Sequence, residues 1–300
     1  MADLRARLAG GEVLVGDGAW GTLLMERGLP PDQPPEWFAL ERPEVLEEIA
    51  RLYVDAGADL VTTDTFGASS LRLAMHGLEG EVERVNRRAV EAVRRAVGGR
   101  GYVSASVGPS GRLLVPFGDT HPAEVYASFA EQVRVLADAG ADLICIETMT
   151  DLTEATQAVK AAKAVAPRLP VMATMTFEKT RRGFFTVMGV CVVKAVAGLA
   201  DAGAEVVGAN CGTGSETMVE VARELVRRTR LPVAVQPNAG LPETHQGQVV
   251  YRETPDLMAT RARELLDLGV SIVGGCCGTT PDHIRALRRV VDDWKASGGR

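Results

Sequence analysis

The sequence is short of histidine, aromatics and concentrated charge. Its four histidines, His76, His121, His245 and His283, form no ligand-spaced pair and read as surface or capping residues. Aromatics make up 5% of the 300 residues, and no block of Lys or Arg interrupts a formal net charge of −6. That balance argues against a nucleic-acid surface. No apolar run is long enough to span a bilayer, and MADLRARLAGGEVLVGDG lacks the apolar core of a secretory signal. The expectation is a cytoplasmic protein, in which free thiols are the default. Cysteines number five, which speaks against a disulfide framework.

What is present is an alternation of short apolar runs and longer amphipathic stretches. Strand-like runs occupy 13–20, 60–66, 102–108, 143–149, 171–177, 206–212, 233–240 and 271–278. Continuous apolar runs of this length suit strands buried on both faces, as in a parallel sheet. Helical patterns fall between them at 43–57, 81–97, 122–140, 152–165, 192–203, 215–228, 255–269 and 281–294. Pro43 and Gly57 give start and stop signals, and Ser215 stands where a helix cap is wanted. A weak repeat, AGADLV (56–61), AGADLI (139–144), AGAEVV (202–207) and LGVSIV (268–273), joins a helix end to every second strand. Eight strand–helix units without a compositional break predict a single (β/α)8 TIM barrel over residues 1–300.

Chemistry in such barrels sits at the C-terminal ends of the strands. Those ends carry Asp17, Asp64, Glu147, Cys211, Asn238, Cys276 and Cys277. Cys145 and Cys191 lie in apolar stretches, the first expected in the barrel wall and the second at a helix start. Three thiols converging on one mouth make a plausible zinc site, because zinc takes tetrahedral sulfur ligands and a catalytic site keeps one position open. Adjacent residues on a regular strand point to opposite faces, so Cys276 and Cys277 can share an ion only where the strand ends. Gly274, Gly275 and Gly278 permit that turn. A vicinal disulfide, a pair of core thiols, a structural zinc site and a metal-free phosphate-binding barrel stand as alternatives.

The motifs GANCG (208–212) and GGCCGTTPDHI (274–284) resemble the paired zinc signatures of the homocysteine S-methyltransferase family. DGAWGT (17–22), TTDTFGAS (62–69), GPSG (108–111), GADLICIET (140–148) and QPNAG (236–240) are similar to that family in the same order. Within it, the likeness points to the homocysteine-binding module of cobalamin-dependent methionine synthase. The resemblance implies Cys211, Cys276 and Cys277 as zinc ligands, with the homocysteine sulfur as the fourth. It implies that Asn238 takes zinc's open position when substrate is absent. It assigns the substrate amine to Asp17 and Glu147, and the carboxylate to the backbone of Gly18, Ala19, Trp20, Gly21 and Thr22. Asp64 joins the substrate-binding candidates, at a position where relatives more often carry Asn.

The implied reaction moves a methyl group to the thiol of homocysteine and yields methionine. Betaine-using relatives carry tyrosines just after the second and fourth strands, where this sequence has Gly67 and Thr148. That departure weighs against betaine and favours methylcobalamin on a separate corrinoid protein or module, with S-methylmethionine as the alternative donor. RRGFFTVMGV (181–190) departs from the family's usual loop and leaves a different thiol acceptor open.

Overall fold

The computed structural model describes residues 3–245 and 248–299, excluding the side chains of His245 and Gln248. Eight strands form the central sheet: β1 (Leu14–Val15), β2 (Leu60–Thr62), β3 (Tyr102–Val107), β4 (Leu143–Met149), β5 (Val171–Met175), β6 (Val206–Gly214), β7 (Val233–Asn238) and β8 (Ile272–Val273). They pair in parallel in the order β1-β8-β7-β6-β5-β4-β3-β2. A parallel bridge between Gly16 and Leu60 closes the ring. Each strand is followed by a helix: α1 (Pro43–Asp55), α2 (Val82–Val97), α3 (Pro122–Asp138), α4 (Leu152–Val165), α5 (Val192–Ala202), α6 (Ser215–Val226), α7 (Pro255–Asp267) and α8 (Pro281–Ala296). The chain therefore forms the expected (β/α)8 barrel.

The short repeat has a physical cause. Gly57, Gly140, Gly203 and Gly269 all take positive φ, between 93° and 108°. The amide after each glycine reaches back to the last helical turn, as in Ala58 N–H to the Tyr53 carbonyl at 3.0 Å and Ala204 N–H to the Leu199 carbonyl at 3.0 Å. This is the left-handed helix stop, which satisfies orphan carbonyls and turns the chain into the next strand.

Two apolar layers result from the strand alternation. Val61, Val103, Ile144, Val171 and Val207 pack outward against the helices. Leu14, Leu60, Tyr102, Leu143, Cys145, Met172, Val206, Ala234 and Ile272 form a second cluster with Leu4. Leu4 belongs to a short helix, Leu4–Ala9, which precedes β1. Cys145 thus belongs to this inner cluster, and Cys191 is the residue just before α5. His121 and His283 complete capping boxes at the starts of α3 and α8, and His283 is buried there rather than on the surface.

Two expectations need correction. The first, second and last strands are expected over 13–20, 60–66 and 271–278 but run only over Leu14–Val15, Leu60–Thr62 and Ile272–Val273, with Gly16 adding its single bridge to Leu60. Beyond those points the backbone leaves the ladder to build turns at the mouth. Ser215 does not cap α6; it is the first helical residue, its Oγ has no partner, and the Glu253 carboxylate accepts from its backbone N–H. Among the described residues no helix is long and apolar enough to cross a membrane.

Candidate metal and substrate site

Stepping by two residues along a barrel strand passes from the apolar layer to the mouth. On β4 the steps read Leu143, Cys145, Glu147; on β6, Val206, Gly208, Asn210; on β7, Ala234, Gln236, Asn238. The side chains turn from apolar to polar along each strand.

Cys211 reaches the site through a break in strand register. Asn210 pairs with Gln236, and the next pairing is Gly214 with Asn238, so β6 uses four residues where β7 uses two. Cys211 sits in this bulge at φ 60°, followed by Gly212 at φ 75°. A second bulge in β4 puts Thr148 at φ 60° as well. Positive φ is uncommon for such residues and persists where surrounding contacts hold it. One side chain holds the Thr148 bend: Asn210 Oδ1 accepts from Thr148 N–H at 2.8 Å, and its Nδ2 donates to Thr148 Oγ1 at 2.8 Å. Thr174 Oγ1 donates to the same Oδ1 at 2.7 Å. Asn210 escaped the sequence reading because it looked like filler inside GANCG.

Cys276 and Cys277 lie three and four residues beyond the end of β8. Cys276 N–H donates to the Pro237 carbonyl at 2.8 Å, and Ala239 N–H donates to the Cys277 carbonyl at 2.9 Å, tying the turn to β7. The three sulfurs, all free thiols, lie within 4.8 Å of one another, with Cys211 and Cys277 at 3.8 Å. A tetrahedron with zinc–sulfur bonds of about 2.3 Å has sulfur–sulfur edges of about 3.8 Å, so the spacing suits that ion.

Electrostatics give the same answer. Thiol donation from Cys276 and Cys277 pushes Cys211 down to about 3. Donating to Cys211 pushes Cys277 up to about 11 and Cys276 well up, and burial and the charge of Cys211 add to both. One thiolate is therefore easy to form and three are not, unless a cation joins them. Asn238 is 4% exposed, and its Oδ1 is buried without a hydrogen-bond partner. An orphaned oxygen beside three soft sulfurs fits a zinc ion with one exchangeable position. Tyr251, unremarked in the sequence, is pushed up to about 12 by burial and then by the charge of Cys277.

Asp17 and Glu147 form the second half of the mouth. Asp17 accepts from Thr62 N–H at 2.7 Å, Thr62 Oγ1 at 2.8 Å and Trp20 Nε1 at 2.9 Å. Glu147 accepts from Ser106 Oγ at 2.5 Å and Asn210 Nδ2 at 3.4 Å. Burial raises Asp17 to about 6 and Glu147 to about 7, and the charge of Asp17 adds to the rise at Glu147. Neither carboxyl has a Lys or Arg within ion-pair distance among the described residues. A buried Asp17 beside a half-buried Glu147, with no such cation at hand, leaves a place for an ammonium group.

The other candidates are placed differently. Ala19 N–H donates to Thr279 Oγ1 at 3.1 Å, and the Ala19 carbonyl accepts from the Tyr53 hydroxyl at 2.5 Å. Gly18 and Ala19 are buried, Trp20 and Gly21 are half-buried and Thr22 is exposed. Gly21 and Thr22 open a short helix, Gly21–Glu26, whose first N–H groups have no intrahelical partner. Asp64 stands apart with Glu36: both are buried and raised, and the charge of Glu36 adds to the burial of Asp64. Gly67 N–H donates to Glu36 Oε1, and a Cβ at Gly67 would lie 2.8 Å from that oxygen. Glu36 thus occupies the space that an aromatic side chain at position 67 would enter. Phe184 packs on the core, and Arg182 lies over the Phe185 ring at 5.5 Å.

Comparison with known proteins agrees with this architecture. The family model described as homocysteine S-methyltransferase matches residues 14–291. Methionine synthase of Mycobacterium leprae (strain TN) is 36% identical over 299 residues, covering 93% of this chain and 24% of that protein. Methionine synthase of Mycobacterium tuberculosis (strain ATCC 25618 / H37Rv) is 35% identical over 303 residues, covering 94% and 25%. The chain spans about a quarter of the length of these curated relatives. The metallated form of the homocysteine methyltransferase MmuM from Escherichia coli superposes with a TM-score of 0.80 at 27% identity, covering 96% of this chain and 99% of that one. With its barrel, its clustered thiols and a match over nearly its whole length, the chain belongs to the homocysteine S-methyltransferase family.

Proposed function

We propose that this chain works as one barrel domain that transfers a methyl group to the thiol of homocysteine, giving methionine. The observation that carries the reading is the sulfur trio, gathered within 4.8 Å, beside the Asp17 and Glu147 carboxyls, which have no Lys or Arg at ion-pair distance among the described residues. Cys211, Cys276 and Cys277 would hold zinc, with Asn238 at the exchangeable position. Zinc, when bound, supplies a Lewis acid that keeps the substrate thiol deprotonated at neutral pH. Asp17 and Glu147 hold the substrate ammonium, and the Gly18–Thr22 backbone receives its carboxylate. The substrate sulfur supplies the electron pair for the new carbon–sulfur bond. The bond from the methyl carbon to its donor breaks with its pair left on the donor, and the thiol proton leaves to solvent. Five free thiols suit a reducing compartment such as the cytoplasm.

For the donor we favour methylcobalamin carried on a corrinoid protein or module. The surface supports a macromolecular partner. The exposed large apolar residues all follow a strand's C-terminal end: Met25 and Met75 in short helical turns ahead of α1 and α2, Val193 and Leu257 in the first turns of α5 and α7, and Phe66, Leu113, Val115, Phe117, Val187, Leu241, Val249 and Val250 in the loops between. An apolar rim on one face of a barrel marks an interaction surface. A second reading, transfer from a small donor such as S-methylmethionine, draws on the full-length likeness to a homocysteine methyltransferase that consists of a similar barrel.

The test is methylation of homocysteine with free methylcobalamin, protein-bound methylcobalamin, S-methylmethionine and betaine offered separately, alongside metal analysis. Turnover with a protein-bound corrinoid and one zinc per chain is expected. Turnover only with S-methylmethionine would replace the donor assignment, and a protein that methylates other thiols but not homocysteine would overturn the acceptor.

A further inference from the structure

The sulfur trio is assembled from two segments with β7 between them, and something must fix their separation. Backbone bonds tie the Cys276–Cys277 turn to β7, but Cys211 stands in a bulge where the ladder to β7 is interrupted. The loop between β7 and α7 returns across this gap. There Glu253 touches all three elements. Its N–H donates to the Ala239 carbonyl at 2.9 Å, just beyond β7. Its carboxylate accepts from Ser215 N–H at 3.2 and 3.1 Å, four residues after Cys211. Its carbonyl accepts from His283 Nε2 at 2.9 Å, in the first turn of α8. Thr280 N–H donates to His283 Nδ1 at 3.1 Å, which leaves the ring proton on Nε2, facing Glu253.

The fit is close. A Cβ at Gly214 would lie 2.3 Å from Glu253 Oε1, and one at Gly278 would lie 2.1 Å from the ring of Tyr251, two residues before Glu253. The N-terminus of α6 has no side-chain cap of its own, since Gly214 precedes it. A charged acceptor supplied from another loop is the strong form of such a cap.

We propose that Glu253 and His283 act as positioning residues, a strut that holds the Cys211 bulge at a fixed distance from Cys276 and Cys277. Neither contacts the sulfurs; Glu253 acts through the start of α6 and His283 through the Glu253 carbonyl. This inference rests on the reading of the trio as a metal site.

The test measures zinc affinity by competition with a chromophoric chelator in the wild type, Glu253→Gln and His283→Gln. Outer partners of metal sites typically govern affinity by about 10–100-fold, and roughly a tenfold weakening is expected in each variant. Glu154→Gln serves as the control: Glu154 accepts from Ser110 N–H at 2.8 Å in a similar, more deeply buried brace on another part of the barrel. It should lower thermal stability and leave zinc affinity unchanged. A second readout needs no zinc. In a Cys276→Ser background, phenylarsine oxide must bridge Cys211 and Cys277, and Glu253→Gln should weaken its capture.

Wild-type protein that binds no zinc while Glu253→Gln still weakens arsenical capture would sink the metal reading and keep the strut. Unchanged zinc affinity and unchanged capture in both strut variants would overturn it, as would an equal loss of zinc affinity in Glu154→Gln.

Discussion

The two ends of this barrel are built from the same strands and do opposite work. At the N-terminal end, Leu14, Leu60, Tyr102, Leu143, Met172, Val206 and Ile272 meet in an apolar layer with Leu4. Four residues further along β4, and likewise along β6 and β7, stand Glu147, Asn210 and Asn238, with the three thiols just beyond. The apolar end gains stability by removing side chains from water. The mouth gives stability up, in raised carboxyls, strained backbone at Thr148 and Cys211, and the unpartnered oxygen of Asn238. Such costs collect where ligands are meant to relieve them.

The sharpest way to separate the ends is Cys211→Ser. Loss of a ligand should cost at least about 100-fold in zinc affinity, by analogy with weaker outer-partner effects, and should abolish methyl transfer. Thermal midpoint should change far less, and metal analysis with an activity assay checks both. At the other end, Leu143→Ala removes a side chain that is 1% exposed. It should destabilise the fold by about 2–5 kcal/mol in denaturant titration, with kcat/KM per folded molecule unchanged.

Glu147→Gln should weaken homocysteine binding roughly 10–100-fold, the scale of one hydrogen bond to a charged group. Zinc content should stay at the wild-type level, which distinguishes amine binding from metal binding. If zinc falls together with homocysteine affinity, the mouth is one coupled unit rather than two half-sites.

The pH response is smaller and its sign is set by burial. Asp17 and Glu147 have folded values of about 6 and about 7 against ordinary values of 3.8 and 4.5. Between roughly pH 4 and pH 7 the folded, substrate-free protein holds more protons than the unfolded chain. Their contribution to stability is fully present below that window and declines as pH rises through it, by on the order of 1–2 kcal/mol per unit at its steepest. Homocysteine should bind more tightly, with proton release, over the same rise. Calorimetry in two buffers of different ionisation heat checks the proton count. Smallest of all, Phe117→Ser at a residue 76% exposed should leave transfer from a small donor unchanged and slow transfer from a protein-borne one.

The repeat carrying Gly57, Gly140, Gly203 and Gly269 made the barrel legible, because a left-handed helix stop restricts residue choice strongly. Helix α4 and strand β4 were readable to the residue for the same local reason: a clean apolar pattern with polar ends. Strands β1, β2 and β8 are shorter than their composition suggests, since the turns at the mouth continue a strand-like pattern. Asn210, Tyr251, Glu253 and Ser106 were passed over. Their importance lies in contacts with residues 26 to 63 positions away, which no local pattern signals.

Local sequence determined the strand–helix alternation, the stop signals, and which residue types reach the strand ends, because those follow from side-chain period and backbone preference. Tertiary structure alone decided that Cys211 lies 3.8 Å from Cys277, that the Asp17 and Glu147 carboxyls are neighbours, and that Glu253 caps a helix from another loop. The reason is closure of the ring: strands far apart in sequence become neighbours only when the sheet meets itself, and the two bulges then set where each side chain points.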